Sequence, residues 1–148
     1  GSFIECSDFE SLPFEYGKAQ LLKEGESTLL LLGYGNGVGK AIETAVLLKQ
    51  EGVDVAIVDL RFVKPLDEVL LGILAQRYKQ WYIFSDSAKI GGVGSLVGQL
   101  KEKMNLHVKI ESFEYDDAFI THGATPLVEQ QLGLSAKQLA QRIIQEVY

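Results

Sequence analysis

Residues 28–52, TLLLLGYGNGVGKAIETAVLLKQEG, contain the pattern from which the fold is predicted. Residues 28–32 form a short, continuously apolar run, which is typical of a strand buried in the middle of a sheet. The glycines at 33, 35 and 37 end that strand in a tight loop. From residue 38 to residue 50 apolar side chains recur at helical spacing, and Gly52 stands where a left-handed C-terminal cap belongs. The stretch therefore predicts a strand, a glycine loop and a helix.

The same alternation continues along the chain. The sequence next predicts a buried strand at residues 53–60 and a helix that starts near Pro65 and Asp67. A buried strand at residues 81–85 and a helix after residues 91–95 follow. The last two predicted elements are an edge strand at residues 107–113 and a terminal helix, which begins at the capping-box pattern of Ser135 and Gln138. Strands that alternate with helices favour right-handed crossovers and parallel pairing. The predicted fold class is α/β, a three-layer α/β/α sandwich around a mostly parallel sheet of about five strands.

One further strand is predicted at residues 18–24. Only a tight turn at Gly25 and Glu26 separates it from the strand at residues 28–32, so we expect these two strands to pair antiparallel. The sheet should therefore be mixed, with one antiparallel strand.

Residues 1–17 differ in composition from the rest of the chain. They carry four acidic residues and no Lys or Arg, together with four aromatic residues and Pro13. Linkers exposed to water seldom carry so many aromatic side chains. We expect an interdomain linker or arm at residues 1–17, part of which lies against protein, followed by one domain at residues 18–148.

Composition excludes several classes of function. Of the 148 residues, 14 are Lys or Arg and 20 are Asp or Glu, so the formal net charge is −6. A surface that binds nucleic acids or anionic membranes needs clustered positive charge. The sequence contains no block of Lys and Arg residues, which argues against both kinds of binding. The longest apolar run is far shorter than the ~20 residues that span a bilayer. Cys6 is the single cysteine, which excludes an internal disulfide and fits a cytoplasmic location.

The glycine loop from Gly33 to Gly39 stands where a nucleotide phosphate would meet free backbone N–H groups. Its spacing completes neither the Rossmann fingerprint nor the P-loop. Val38 stands where the Rossmann fingerprint requires its third glycine, and Ala41 stands where the P-loop requires Ser or Thr. Two interpretations remain: an anion site, or a plain tight turn that lets the helix pack on the sheet. The second is favoured.

Asp59 ends a buried strand, as the phosphoacceptor of a signalling receiver domain does. That chemistry also needs a pair of acids after the first parallel strand to hold magnesium, and Gly33, Tyr34 and Gly35 occupy that place. Asp59 and Arg61 are instead expected to fix the loop that follows. His122 suits proton transfer with Asp117, or a capping role. The two histidines and one cysteine are too few for a metal site.

Three motifs together carry a resemblance to a known family. They are RFVKPLD at residues 61–67, KIGGVGS at residues 89–95 and DAFITHG at residues 117–123. The combination resembles the C-terminal domain of the transketolase superfamily and is most similar, within it, to the 1-deoxy-D-xylulose-5-phosphate synthases. The resemblance runs from about Leu12 to the end of the chain, and RFVKPLD is its most specific part.

The resemblance implies a thiamine diphosphate- and Mg²⁺-dependent homodimeric transferase, which condenses pyruvate with glyceraldehyde 3-phosphate, with decarboxylation, for isoprenoid, thiamine and pyridoxal biosynthesis. In that family a Gly-Asp-Gly motif of the first domain holds the cofactor and metal, and the activating glutamate lies in the second. This chain contains no Gly-Asp-Gly. The resemblance therefore transfers no catalytic, cofactor or metal residue, and implies an inactive fragment that supports the preceding domains and the dimer.

Five residues are the candidates for contacts between domains or within the loop: Asp59, Arg61, Lys64, Asp67 and His122. Three alternatives stay open. The chain could belong to another superfamily member, such as transketolase or a 2-oxo acid dehydrogenase β subunit. It could be a free-standing phosphate- or nucleotide-binding domain that uses the loop from Gly33 to Gly39, or a receiver built on Asp59.

Overall fold

The computed structural model describes residues 16–85, 92–114 and 135–147. Within these ranges the chain forms β1 (Gln20–Lys23), β2 (Leu29–Tyr34), α1 (Gly37–Gln50), β3 (Ala56–Asp59), α2 (Glu68–Arg77), β4 (Gln80–Ser85), α3 (Val93–Met104), β5 (Lys109–Glu114) and α4 (Ala136–Val147). The predicted alternation of strands and helices is confirmed. Some predicted features lie outside the described residues: the first 15 residues of the arm, Gly91 and the motif around His122.

The five strands form one sheet in the order β1-β3-β2-β4-β5. β2 lies at the centre and pairs parallel with both β3 and β4, and β5 continues the sheet parallel to β4. Leu30, Leu31 and Leu32 of β2 are completely buried, as their apolar run predicts. The mixed, mostly parallel sheet is confirmed, and among the described strands β5 lies at an edge.

β1 is the antiparallel strand, but the expectation that it pairs with the strand at residues 28–32 is wrong. It pairs with β3, with Gln20 opposite Asp59. The connection to β2 crosses the amino end of β3, where a Cβ on Gly25 would lie 2.3 Å from the carbonyl carbon of Val55. Gly25 is thus required by a close backbone crossing, whereas a β-hairpin would use a turn of about two residues.

Both faces of the sheet are covered by helices because side chains alternate along each strand. On one face α1 and α4 pack on a cluster that includes Leu31, Ile57, Tyr82, Phe84 and Phe113. On the other face α2 and α3 pack on a cluster that includes Leu30, Leu32, Val58, Trp81 and Ile83. Each large side chain buried in this way contributes roughly 1.5–3 kcal/mol. The three layers are those that the sequence predicts.

The helix ends follow their local sequence signals. Gly52, after α1, has φ +84°, the left-handed conformation that its position predicts. The backbone N–H of Gln138 donates to Oγ of Ser135 at 3.2 Å, and that hydroxyl donates in turn to Oε1 of Gln138 at 3.0 Å. None of the described helices combines the length and the apolar character needed to cross a membrane.

Candidate functional site: the carboxyl edge of the sheet

The glycine loop between β2 and α1 brings three backbone segments into close contact. A Cβ on Gly37 would lie 1.8 Å from the carbonyl oxygen of Phe84, and a Cβ on Gly33 would lie 2.6 Å from Cα of Val38. Both positions require glycine because α1 begins directly against β2 and β4. The geometry favours the tight-turn interpretation of this loop.

The space beside the glycine loop is small. A cavity of about 20 Å³ lies among α1, β4 and β5, bordered by Lys40, Ser85 and Phe113 among others. A cavity of this volume holds about one water molecule. Among the described residues, this cavity is therefore too small to enclose a nucleotide.

Asp59 lies at the carboxyl end of β3, between Gln20 and Gly33 of the two neighbouring strands. Its Oδ1 accepts a hydrogen bond from the backbone N–H of Arg61 at 3.0 Å. Burial raises the pKa of the Asp59 carboxyl, and that N–H and the Arg61 guanidinium oppose the rise. Among the described residues no group of three or more His, Cys, Asp or Glu could hold a metal ion. The contacts favour a loop-fixing carboxylate over a phosphoacceptor.

Arg61 begins the RFVKPLD segment in an unusual conformation. Its φ is +59°, a left-handed value that few residues other than glycine adopt. The guanidinium donates a hydrogen bond to Oε1 of Gln20. Arg61 thus joins the loop after β3 to the edge strand β1, while its own backbone N–H is held by Asp59.

Asp67 ends the segment and makes its most extensive contacts. The side chain is buried, with 8 % relative exposure. Its Oδ1 accepts from the N–H of Leu70 at 3.1 Å, which caps α2, and its Oδ2 accepts from the N–H of Ala19 at 2.9 Å. The sequence predicts a helix start at Asp67, but the bond to Ala19 depends on the pairing of β1 with β3.

The remaining candidates differ in their surroundings. Lys64 is exposed. Phe62 packs edge-to-face on Tyr16, with 5.3 Å between the ring centroids, and a Cβ on Gly17 would lie 3.2 Å from Cγ of Pro65. The segment before β1 therefore packs on the RFVKPLD loop. His122 lies outside the described residues, so its predicted role stays a prediction.

A second polar cluster, at the amino edge of the sheet, is absent from the sequence-based predictions. Nζ of Lys23 lies 2.5 Å from Oδ1 of Asp54, and Nζ of Lys49 lies 3.5 Å from the same oxygen. The hydrogen bond from Lys23 lowers the pKa of Asp54 to about 2. These residues come from β1, α1 and the connection before β3, and no local motif unites them.

The terminal helix is tied to the sheet by polar contacts beside this cluster. The hydroxyl of Tyr82 donates to Oε2 of Glu146 at 2.7 Å, and Nη2 of Arg142 lies 2.6 Å from Oε1 of Glu111. Burial raises the pKa of the Tyr82 hydroxyl well above its usual range, and Glu146 adds to the rise. An open cavity of about 520 Å³ lies between Asp54, Tyr82 and Glu146. These contacts hold α4 on the sheet.

The mixed sheet and the tightly packed loops at its carboxyl edge define a doubly wound α/β/α domain. The family model described as "Transketolase, C-terminal domain" matches residues 17–139. The chain belongs to this family, and the resemblance carried by the three motifs is confirmed.

Relatives of known name match nearly the whole chain. It is 51 % identical over 144 residues to the 1-deoxy-D-xylulose-5-phosphate synthase of Sulfurimonas denitrificans, and 53 % identical over 143 residues to that of a Nitratiruptor species. Each alignment covers 97 % of this chain but only 23 % of the relative. The chain thus spans about a quarter of the length of these proteins.

Two solved structures share the fold. One, described as a split-gene transketolase in an inactive β4 tetramer, is 25 % identical with a TM-score of 0.78 and covers 90 % of this chain and 43 % of its own. The other, the transketolase of Campylobacter jejuni, is 20 % identical with a TM-score of 0.56 and covers 87 % of this chain and 18 % of its own. The second likeness concerns the fold alone.

Proposed function

We propose that this chain is the C-terminal domain of an enzyme that condenses pyruvate with glyceraldehyde 3-phosphate, with release of carbon dioxide, to form 1-deoxy-D-xylulose 5-phosphate. The observation that carries the proposal is the identity of 51 % and 53 % to two synthases of that name across 97 % of the chain. Identity to the split-gene transketolase is only 25 %. This difference favours the synthase over transketolase as the parent enzyme.

Thiamine diphosphate with Mg²⁺ is the cofactor that this reaction implies, since it supplies the carbanion chemistry of decarboxylation. Neither the sequence motifs nor the described residues offer a site that fits it. The sequence contains no Gly-Asp-Gly, the described residues hold no candidate cluster of metal ligands, and the cavity at the glycine loop is about 20 Å³. We therefore assign cofactor binding and catalysis to the rest of the complete enzyme.

The role left for this domain is support. Asp59, Arg61 and Asp67 fix the RFVKPLD loop to β1 at the carboxyl edge, the edge at which open α/β sheets bind ligands. Lys64, which is exposed, and His122 complete the proposed contacts with the preceding domains. Residues 1–17 form the link, residues 18–148 form the domain, and the complete enzyme is a cytoplasmic homodimer.

The experiment that tests this function uses the complete enzyme. We expect the purified protein to form a five-carbon deoxyketose phosphate, with release of carbon dioxide from pyruvate, only when glyceraldehyde 3-phosphate, thiamine diphosphate and Mg²⁺ are all present. The matched control replaces pyruvate with a ketose phosphate. Transfer of a two-carbon unit without release of carbon dioxide would instead assign the domain to a transketolase.

A titration of this chain alone tests the assignment of the cofactor. We expect calorimetry to detect no heat of binding for thiamine diphosphate with Mg²⁺, for ATP or for inorganic phosphate. Binding of phosphate or ATP that is lost in Lys40→Ala would favour the free-standing anion-binding alternative, because Lys40 borders the glycine loop.

A further inference from the structure

An apolar groove lies between the edge strand β1 and helix α1. Its apolar lining consists of Ile42, Ala45, Val46 and Ile57, and its volume is about 270 Å³. Val46 is 53 % exposed, although it stands on a helix whose opposite face is fully buried. Exposed apolar surface beside an unpaired strand edge is usually covered by another segment or protein.

We propose that residues 1–15 of the same chain cover this groove and place apolar side chains on it. The segment offers five large apolar residues, listed here in order: Phe3, Ile4, Phe9, Leu12 and Phe14. It is therefore apolar enough to occupy the groove. The proposal does not depend on the reaction of the complete enzyme.

The charges of the two partners are complementary. Residues 1–15 carry Glu5, Asp8, Glu10 and Glu15 and no Lys or Arg. The groove is bordered by Lys23 and Lys49, which share Asp54 as their acidic partner, so this border carries net positive charge. Lys49 remains 66 % exposed and is available to the acidic segment.

The connection to β1 allows the segment to reach the groove. Gly17 has φ +76° and lies in a turn three residues before the start of β1. Fifteen extended residues span roughly 50 Å, whereas the four residues of β1 span roughly 13 Å. The segment is thus long enough to follow β1 and pass over the groove.

A second exposed apolar surface serves as the comparison. Val69 and Ile73 lie one turn apart on α2 and are 68 % and 58 % exposed. The charge beside them is less suitable for an acidic segment. Glu68 on the same helix is acidic, and it forms an ion pair of 3.1 Å with Lys103. We therefore expect the acidic segment to choose the groove over the α2 surface.

The test uses Cys6, the only native cysteine, as a reporter in the full chain. Val46→Cys and Val69→Cys each add one thiol at an exposed valine, and a short bismaleimide then links thiols that lie close together. We expect an intramolecular link from Cys6 in Val46→Cys, at several-fold higher yield than in Val69→Cys. Gln50→Cys, which lines the same groove, provides a second position, and Cys6→Ser gives the background.

A charge test accompanies the linking experiment. Lys49→Glu should lower the yield in Val46→Cys several-fold, while Lys103→Glu, at an equally exposed lysine, should leave it unchanged. Equal yields at positions 46 and 69 would overturn the proposal, as would no link at 46 or 50 in chains with unchanged circular dichroism. Linked dimers whose yield grows with protein concentration would overturn it in favour of a second copy of the chain.

Discussion

The backbone N–H of Ala19 donates a hydrogen bond of 2.9 Å to Oδ2 of Asp67, across 48 residues of sequence. The other oxygen of the same carboxylate caps α2 through the N–H of Leu70. One buried side chain therefore fixes both the entry to the edge strand and the end of the RFVKPLD loop.

Asp67→Ala should lower the free energy of unfolding by about 2–4 kcal/mol. Loss of the helix cap costs about 1 kcal/mol, and the part-buried N–H of Ala19 loses its acceptor, which costs a further ~1–3 kcal/mol. Urea denaturation of the purified chain measures the change. Asp67→Asn keeps one carbonyl acceptor, so its loss should be smaller.

The control for Asp67 is its neighbour Glu68, a partly exposed residue of the first helical turn. Glu68→Ala should change stability by less than about 0.5 kcal/mol, as exposed substitutions usually do. Equal effects of Asp67→Ala and Glu68→Ala would show that neither the cap on α2 nor the bond to Ala19 contributes measurably.

Two glycines of the same loop should respond to alanine in opposite ways. A Cβ at Gly37 would lie 1.8 Å from the carbonyl oxygen of Phe84, whereas a Cβ at Gly39 meets nothing within 4 Å. Gly37→Ala should therefore cost more than about 3 kcal/mol or prevent folding. Gly39→Ala, in a helix, should stabilise the chain by about 0.5–1 kcal/mol. Thermal unfolding compares the two, and similar melting temperatures would contradict the close approach of α1 to β4.

Acid should weaken the fold through Asp54. Its pKa is about 2 in the folded chain, against the ordinary value of 3.8, because Lys23 donates to the carboxylate. Because the pKa of Asp54 is lower in the folded chain than in the unfolded chain, its ionised carboxylate stabilises the fold at pH values above about 4. This contribution, at most about 2 kcal/mol, is lost as the pH falls from about 4 to about 2. Asp54→Asn should flatten the pH dependence of stability in that window.

Asp59 provides the control of opposite sign. Burial raises its pKa, so its carboxyl favours folding while it is protonated, and that contribution declines as the pH rises through the folded pKa. Asp59→Asn has no carboxyl group to ionise, so its free energy of unfolding should not show this decline as the pH rises. Urea titrations at several pH values separate the two variants, and parallel pH profiles would contradict both assignments.

The sequence predicts those features that depend on neighbouring residues. The apolar run at residues 28–32, the cap at Gly52 and the helix start at Asp67 each depend on a local pattern, and the structure contains all three. The partner of β1 depends on a crossing at Gly25 that resembles an ordinary turn in sequence. The bonds of Gln20 and Ala19 follow from that partner, and so could not be predicted.

Arg61→Ala in the complete enzyme distinguishes the proposed supporting role of this domain from a catalytic one. Arg61 holds Gln20 of β1, so we expect a lower melting temperature or a smaller fraction of dimer, measured by calorimetry and by mass in solution, before kcat changes. Lys103→Ala, at an exposed lysine of α3, is the matched control and should change neither. A sharp fall in kcat with unchanged melting temperature and mass would contradict the claim.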